Sequence, residues 1–349
     1  MEQTLKSFPA IQGEQQAQTV PEAFRFLRQS SAWLTWTGVL MLADIAVSLA
    51  GLVLDPTLVT GAAVWLKPLK FGLSTSLYCF TVAWMIGQLH RTRGFAAILG
   101  RFLAAALTVE IVLIDMQAAR HTTSHFNYTT TFDSLVFAVM GIGIATVLVS
   151  TILLLVVACV ERIADKSLAW AIRLSLLLAL LGMGVGSLMT LPTPEQSAAQ
   201  HQAGGRMSYM GGHTVGAPDG GPGMPVTGWS ADHGDLRIAH FLGLHAMQVL
   251  LLAWWLARHQ AQWSGAAKLR LIVATAISVS SIFGVVLWQA LRGQPLLHPD
   301  APIAAGYASW AAFTLLLCLW AIYPANHGVI QAAKSNRAER AIPWKTQEK

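Results

Sequence analysis

A chain of 349 residues that is 54% hydrophobic and only 11% charged cannot cover its own surface in water, because a soluble domain of this length carries about a quarter charged residues. Its mean hydropathy of +0.52 makes lipid the solvent for much of it and leaves no room for a sizeable soluble domain. The net charge of +6 lies in clusters beside apolar runs, as topology signals do. No basic stripe is interleaved with aromatics, which argues against a nucleic-acid partner.

Residues 1–32 are polar and mixed in charge, without the short apolar core and small-residue cleavage site of a signal peptide. They are expected to form a cytoplasmic N-terminal segment. Eight apolar runs follow, at residues 33–54, 69–89, 102–119, 134–160, 168–191, 238–256, 271–291 and 304–323. Each is near the ~20 residues that span hydrocarbon as a helix. Lys and Arg set the orientation. Arg25 and Arg28 precede the first run, Arg91, Arg93 and Arg101 lie around the second connection, and Arg162 and Lys166 follow the fourth run. Arg258, Lys268 and Arg270 follow the sixth, and Lys334, Arg337, Arg340 and Lys345 fill the tail. All fall on one side if both termini are cytoplasmic. The expected architecture is therefore an all-α polytopic bundle of eight spans over residues 33–323, with a basic cytoplasmic tail at 324–349. Cys79, Cys159 and Cys318 lie inside apolar runs with no CxxC, and read as small hydrophobes, not as a disulfide or thiolate site.

The connection at 192–235 then lies outside. Gly211-Gly212, the Pro218 to Gly223 stretch and Pro225 keep it from holding a regular helix or strand for long. A loop of this length is either functional or loosely ordered. The two halves show no internal repeat, which counts against an inverted-repeat transporter.

Polar residues concentrate at the outer ends. His121, His125, His201, His213, His233, His240, His245 and His298 fall there, whereas His90, His259 and His327 fall inside. In the third run Glu110, Gln117, His121 and Ser124 or His125 form one polar stripe, provided the helix persists to His125. A carboxylate at mid-bilayer costs at least about 2.5 kcal/mol, so Glu110 needs a partner or a proton. Asp115 points roughly 140° away and is expected to meet a cation on another helix. His121 and His125, four apart, suit shared coordination of zinc or a similar metal. In the sixth run Asp235 is placed to cap the helix. Arg237 and His245 share a face, while His240 and His245 diverge. Lys67, Lys70, Arg120 and Arg237 stand on the side where positive charge is disfavoured. They either snorkel, pair with Asp55, Asp115, Asp133 or Asp235, or attract an anionic ligand. Met207, Met210 and His213 give an M-x-x-M-x-x-H series whose donors suit copper(I), although chance spacing is the simpler account. Asp219-Gly220-Gly221 lacks the ligand spacing of a calcium loop. No G-x-S-x-G, P-loop, H-E-x-x-H or dinucleotide fingerprint is present.

The segments Trp65-Leu66-Lys67-Pro68-Leu69-Lys70-Phe71, Gln117-Ala118-Ala119-Arg120 with Ser124-His125-Phe126-Asn127, and Gly234-Asp235-Leu236-Arg237 with His240-Phe241 and Gly243-Leu244-His245-Ala246 resemble a family of bacterial polytopic membrane proteins. The resemblance implies an inner-membrane location and brings no activity. The chain is also distantly similar to alkaline ceramidase-like membrane hydrolases, which place zinc among histidines and an aspartate at one membrane face. That resemblance implies those parts for His121, His125, Asp133 and His240 or His245. The chain departs from it in having eight expected spans and no late H-x-x-x-H pair.

Three functions follow as expectations. The first is a metal or haem centre at the outer face, with His121, His125 and His245, then His240, as ligands and Glu110 as proton acceptor. Zinc would make it hydrolytic on a lipid or amide carbonyl, and haem would make it an electron carrier. The second is a proton- or ion-coupled transporter using Glu110 and Asp44, with Lys67, Lys70 and Arg120 attracting an anion and a helix break at 182–186. The third is a sensor or assembly partner acting through the outer loop. A reporter fused at Gly212 should be active only on the side away from the cytosol; cytoplasmic activity of that fusion would reverse the whole orientation.

Overall fold

The computed structural model describes residues 19–203 and 208–340, with 194, 200–203 and 323–340 described as backbone only. In chain order the helices are α1 Val20–Ser30, α2 Ala32–Leu54, α3 Leu66–Gly87, α4 Arg93–Ala119, α5 Thr131–Val160, α6 Lys166–Leu188, α7 Pro194–Ala203, α8 Leu236–Arg258, α9 Gly265–Leu291 and α10 Ala301–Arg340. Eight of them, α2 to α6 and α8 to α10, are long and apolar enough to cross a membrane. The chain is an all-α polytopic bundle. Most observed ends lie within a few residues of the apolar runs, but α3 and α4 reach back over polar or charged residues, and α10 continues to Arg340.

Side-chain caps meet amides that hydrocarbon would leave unsatisfied. Thr130 accepts from the Asp133 amide, Asp165 from Ser167 and Leu168, Asp235 from Arg237, and Ser264 from Ala267. Large apolar side chains face outward around the bundle, including Val53 at 84% exposure and Ile142 at 70%. Water would not tolerate that surface, and lipid covers it without cost.

The helices pack as two sets. One runs α2, α3, α4, α5 with α1 against α2 and α3; the other runs α6, α8, α9, α10; α5 against α6 joins them. The tightest crossing is α6 on α8. A β-carbon on Gly182 would fall 2.6 Å from the Leu244 nitrogen, and one on Gly243 would fall 2.5 Å from the Gly182 Cα. The bare backbones therefore touch, in the manner of small-residue crossings in membranes. His240 completes the joint. Its Nδ1 donates to the Gly182 carbonyl at 2.7 Å, and its ring lies over Gly186, where a β-carbon would come within 2.9 Å of Cε1. The glycines at 182–186 therefore do not break α6, which is continuous from Lys166 to Leu188. Gly182 and Gly186 serve close approach, which corrects the expected helix break.

The outer loop is also more ordered than its composition suggests. Thr214–Val215 pairs with Gly234–Asp235, and single bridges join Asn127 to Tyr209 and Gly223 to Ser230. Gly61 and Gly220 have positive φ, and a β-carbon on Gly61 would lie 2.9 Å from the Gly220 carbonyl oxygen. The loop tip thus rests on the turn between α2 and α3.

Gly243→Leu should force α6 and α8 apart. Overpacking costs about 1–3 kcal/mol, so the purified variant should lose several degrees of thermal midpoint. An unchanged midpoint would show that the crossing carries no tight packing.

Candidate functional site

The site grows from the end of α4. The helix stops at Ala119, with His121 and Phe126 in the left-handed region at φ 54° and 61°. The chain turns on itself there, so His121 and His125 do not share a helical face. His121 moves to the periphery, where its Nε2 meets the Asp55 carboxylate at 3.1 Å and its side chain is 52% exposed. Hydrogen bonds from the hydroxyl and amide of Thr57 hold Asp55 far below the usual carboxylate range.

His125 turns inward. Lys67 Nζ lies 3.0 Å and Ser124 Oγ 3.1 Å from its Nδ1, and Glu110 Oε1 lies 3.3 Å from its Nε2. An ammonium can only donate, so Nδ1 is the acceptor and the ring proton sits on Nε2, which lies beside Glu110 without being aligned on it. Glu110 is 3% exposed, and no well-aligned donor reaches either of its oxygens. Phe71, Phe126 and Phe137 surround the imidazole, with ring centroids 5.9 to 6.0 Å away. That burial, followed by the adjacent Lys67 ammonium, pushes His125 well below the imidazole range, so it is neutral.

Further charges gather around this trio. Glu110, Lys70, Arg237 and Asp219 all act electrostatically on Lys67. Lys70 donates to the Thr227 carbonyl at 2.7 Å. Arg237 binds the Asp235 carboxylate through Nε and Nη2 and reaches the Gly228 carbonyl at 2.8 Å. Asp235 also accepts from the amides of Ser230 and Arg237. This ion pair therefore caps α8 and pins the loop at once. On the other flank His213 Nδ1 meets Asp219 at 2.8 Å, with its ring 5.1 Å from Phe126. Gly212 donates to the Met189 carbonyl and Leu236 to that of His213. The Gly/Pro-rich connection is thus bonded into the site as its outer cover.

Asp133 has a different task from the one the hydrolase resemblance implies. Its oxygens accept from Gln117 at 2.9 Å, Arg120 at 2.6 Å and the hydroxyls of Thr129 and Thr130 at 3.2 and 2.6 Å. Arg120 also bonds Gln117 and stacks on Phe132. The group ties the end of α4 to the start of α5 and leaves no free basic oxygen. Among the described residues Asp115 forms no ion pair with a cation; it lies beside the Asp44 carboxyl on α2, and neither Asp44 oxygen has a hydrogen-bond partner.

His245 lies deeper. Its Nε2 is 3.1 Å from Ser74 Oγ on α3 and its Nδ1 3.3 Å from Gln248 Oε1, while Gln248 donates to Thr81 at 3.1 Å. His125 and His245 thus have both ring nitrogens engaged, His121 faces Asp55, and His240 is bonded to α6. Among the described residues no group of three or more His, Cys, Asp or Glu converges as a metal site. The four histidines expected as zinc ligands therefore do not come together in one cluster among the described residues. Met207, the first member of the M-x-x-M-x-x-H series, and the His201 side chain lie outside the described residues.

Ser74, Thr81 and Gln248 escaped the sequence reading. The signal was the α3 stripe of Lys67, Lys70, Ser74 and Thr81, spaced by three, four and seven residues. Comparison with known protein families, curated proteins and solved structures found no match to this chain.

The cover should respond to acid. Burial lowers the His213 imidazole by more than Asp219 raises it. Burial works to raise Asp219, but the His213 ring and amides overcome it and hold that carboxyl low. Both folded values are depressed, so each contribution is complete above the ordinary value, about 6.5 for imidazole and 3.9 for Asp, and is lost as pH falls below it. His213 acts first. Amide-exchange protection over residues 208–235 should be constant above pH 7 and decline from about pH 6.5. His213→Gln should flatten that decline, and unchanged wild-type protection down to pH 5 would refute the assignment.

Proposed function

We propose that the chain is a multi-pass protein of the bacterial inner membrane that binds an anionic group together with a proton at its outer face. The observation that supports this reading is the neutral His125 imidazole held between the Lys67 ammonium and the buried Glu110 carboxyl.

Electrostatics explain why the two would be coupled. The cations Lys67, Lys70 and Arg237 are matched by Glu110, Asp219 and Asp235. Lys67 and Lys70 each spend one donor on a partner named above, and an ammonium has three, so donors remain for an anion. Admitting an anion leaves one excess negative charge in a low-dielectric site, where an uncompensated charge is costly. Asp219 is held by His213 and amides, and Asp235 by Arg237. Glu110 alone lacks such donors, so it takes the compensating proton. His125 supplies the route: once the anion draws the Lys67 ammonium off Nδ1, a proton arriving there is matched by one leaving Nε2 for Glu110, 3.3 Å away, and the ring holds no charge.

A carrier is the second reading, and the Asp44–Asp115 pair favours it. Asp44 is 8% exposed and lies against Gly72 of α3. Two carboxyls in contact inside hydrocarbon require a proton between them, which would add a second proton-binding group at about the depth of Glu110, with Asp115 five residues nearer the outer end of α4. The anion would then travel with its proton across the bilayer.

Acetate, phosphate and a short-chain phosphatidic acid, added to purified protein with a pH indicator, form the test. At least one should bind with uptake of about one proton, as one carboxylate neutralised per anion requires. Glu110→Gln should bind without proton uptake. Lys67→Met should bind tenfold or more weakly, a hydrogen bond to a charged group being worth roughly 1.5–3 kcal/mol. Binding to wild type with no proton uptake would overturn the coupling.

A further inference from the structure

The polarity of one hydrogen-bond chain between α3 and α8 can be assigned atom by atom. The Thr81 hydroxyl donates to the Leu77 carbonyl at 2.6 Å. Its oxygen therefore accepts, and Gln248 Nε2 donates to it at 3.1 Å. This orients the amide with Oε1 toward His245 Nδ1 at 3.3 Å. An amide oxygen only accepts, so Nδ1 carries the ring proton and Nε2 is a bare lone pair. Ser74 Oγ, 3.1 Å from Nε2, must donate to it. Phe241 packs on the ring with centroids 4.3 Å apart. A tie between helices would be served by either tautomer. Here three anchored groups select the one tautomer that aims a serine proton at an imidazole base, with the base oriented by a third group.

We propose that Ser74 is a nucleophile with His245 as its general base, in a site for acyl esters of membrane amphiphiles bearing an anionic headgroup. Depth identifies the acyl class. Ser74 is eight residues into α3 and His245 nine into α8, about 12–14 Å inward at ~1.5 Å per residue. Both side chains are partly accessible. Leu73, Leu77, Phe241 and Val249, on the same two helices, are 42 to 53% exposed, so an ester with its chains in lipid can approach from the side. Lys70 stands one turn outward of Ser74 on the same helix. The headgroup part of the inference rests on the anion site proposed above; the nucleophile does not.

The step balances without a further reagent except water. Ser74 Oγ bonds to the ester carbonyl carbon as its proton passes to His245 Nε2. The bond to the alcohol oxygen breaks, and that oxygen leaves with the proton from Nε2. Water then attacks the acyl-serine, giving a proton to Nε2 that returns to Ser74 Oγ as the carboxylic acid departs. Gln248 and Thr81 act as positioning residues.

Full-length protein in lipid nanodiscs, treated with a fluorophosphonate label and digested for mass spectrometry, decides the matter. Ser74 should be the labelled residue. His245→Gln should slow labelling at least a hundredfold and Gln248→Leu about tenfold, because the ring then loses its fixed tautomer. Folded wild type in which Ser74 is unlabelled overturns the proposal, and this result needs no variant to fold. The label is uncharged, so failure here leaves the anion–proton reading standing, and failure of that reading leaves this one.

Discussion

A carboxylate inside a membrane protein has to be answered by something, and the outer half of this bundle is arranged around how Glu110 is answered. No cation touches it directly. The answer comes through an imidazole, with the Lys67 ammonium on the far ring nitrogen. That indirect pairing explains the surrounding construction. His125 must be brought back over α4, which the left-handed residues on either side of it achieve, and its ring must be kept dry, which Phe71, Phe126 and Phe137 achieve. The loop then covers the remaining side, and its own acids are held by internal donors, Asp219 by the His213 ring and amides and Asp235 by Arg237.

The remaining polar groups sort by whether their valences are filled. Asp133 and Asp235 accept several well-placed donors and act as clamps between elements. The Asp44–Asp115 pair and Glu110 do not. In hydrocarbon that difference separates architecture from chemistry, because an unfilled acceptor is costly and persists only where a proton or a ligand completes it.

Much of the fold was legible in the amino-acid order. Apolar run length and the one-sided placement of Lys and Arg carry topology directly, and all eight runs became helices. The candidate residues were legible in part. His125, Lys67, Lys70, Arg237 and Asp235 were expected at the outer end and gather there, and Glu110, expected near mid-bilayer, lies against His125. Their pairings could not be read, because they depend on where α4 ends, and two residues with positive φ decide that. Extending the helix to His125 created a histidine pair that the real turn separates. The glycines at 182–186 misled for a related reason. A glycine run signals either a break or a close approach, and only the partner's Gly243 distinguishes them. Ser74 stayed invisible because hydroxyls in membrane helices commonly bond their own backbone, and its partner lies 171 residues away.

The order of synthesis gives the outer cover a role in biogenesis. The Lys67–His125–Glu110 trio is complete once the third span and the turn after it have emerged, yet the segment that shields it is translated roughly eighty residues later and is pinned by Asp235 and Arg237 at the start of α8. Until then the trio lacks its cover, and its groups can exchange protons with water. Seating of the connection at 192–235 ends that exchange. The nascent protein thus passes through a wet, unlidded stage whose charges are hydrated, and becomes dry only when the sixth span has entered the bilayer.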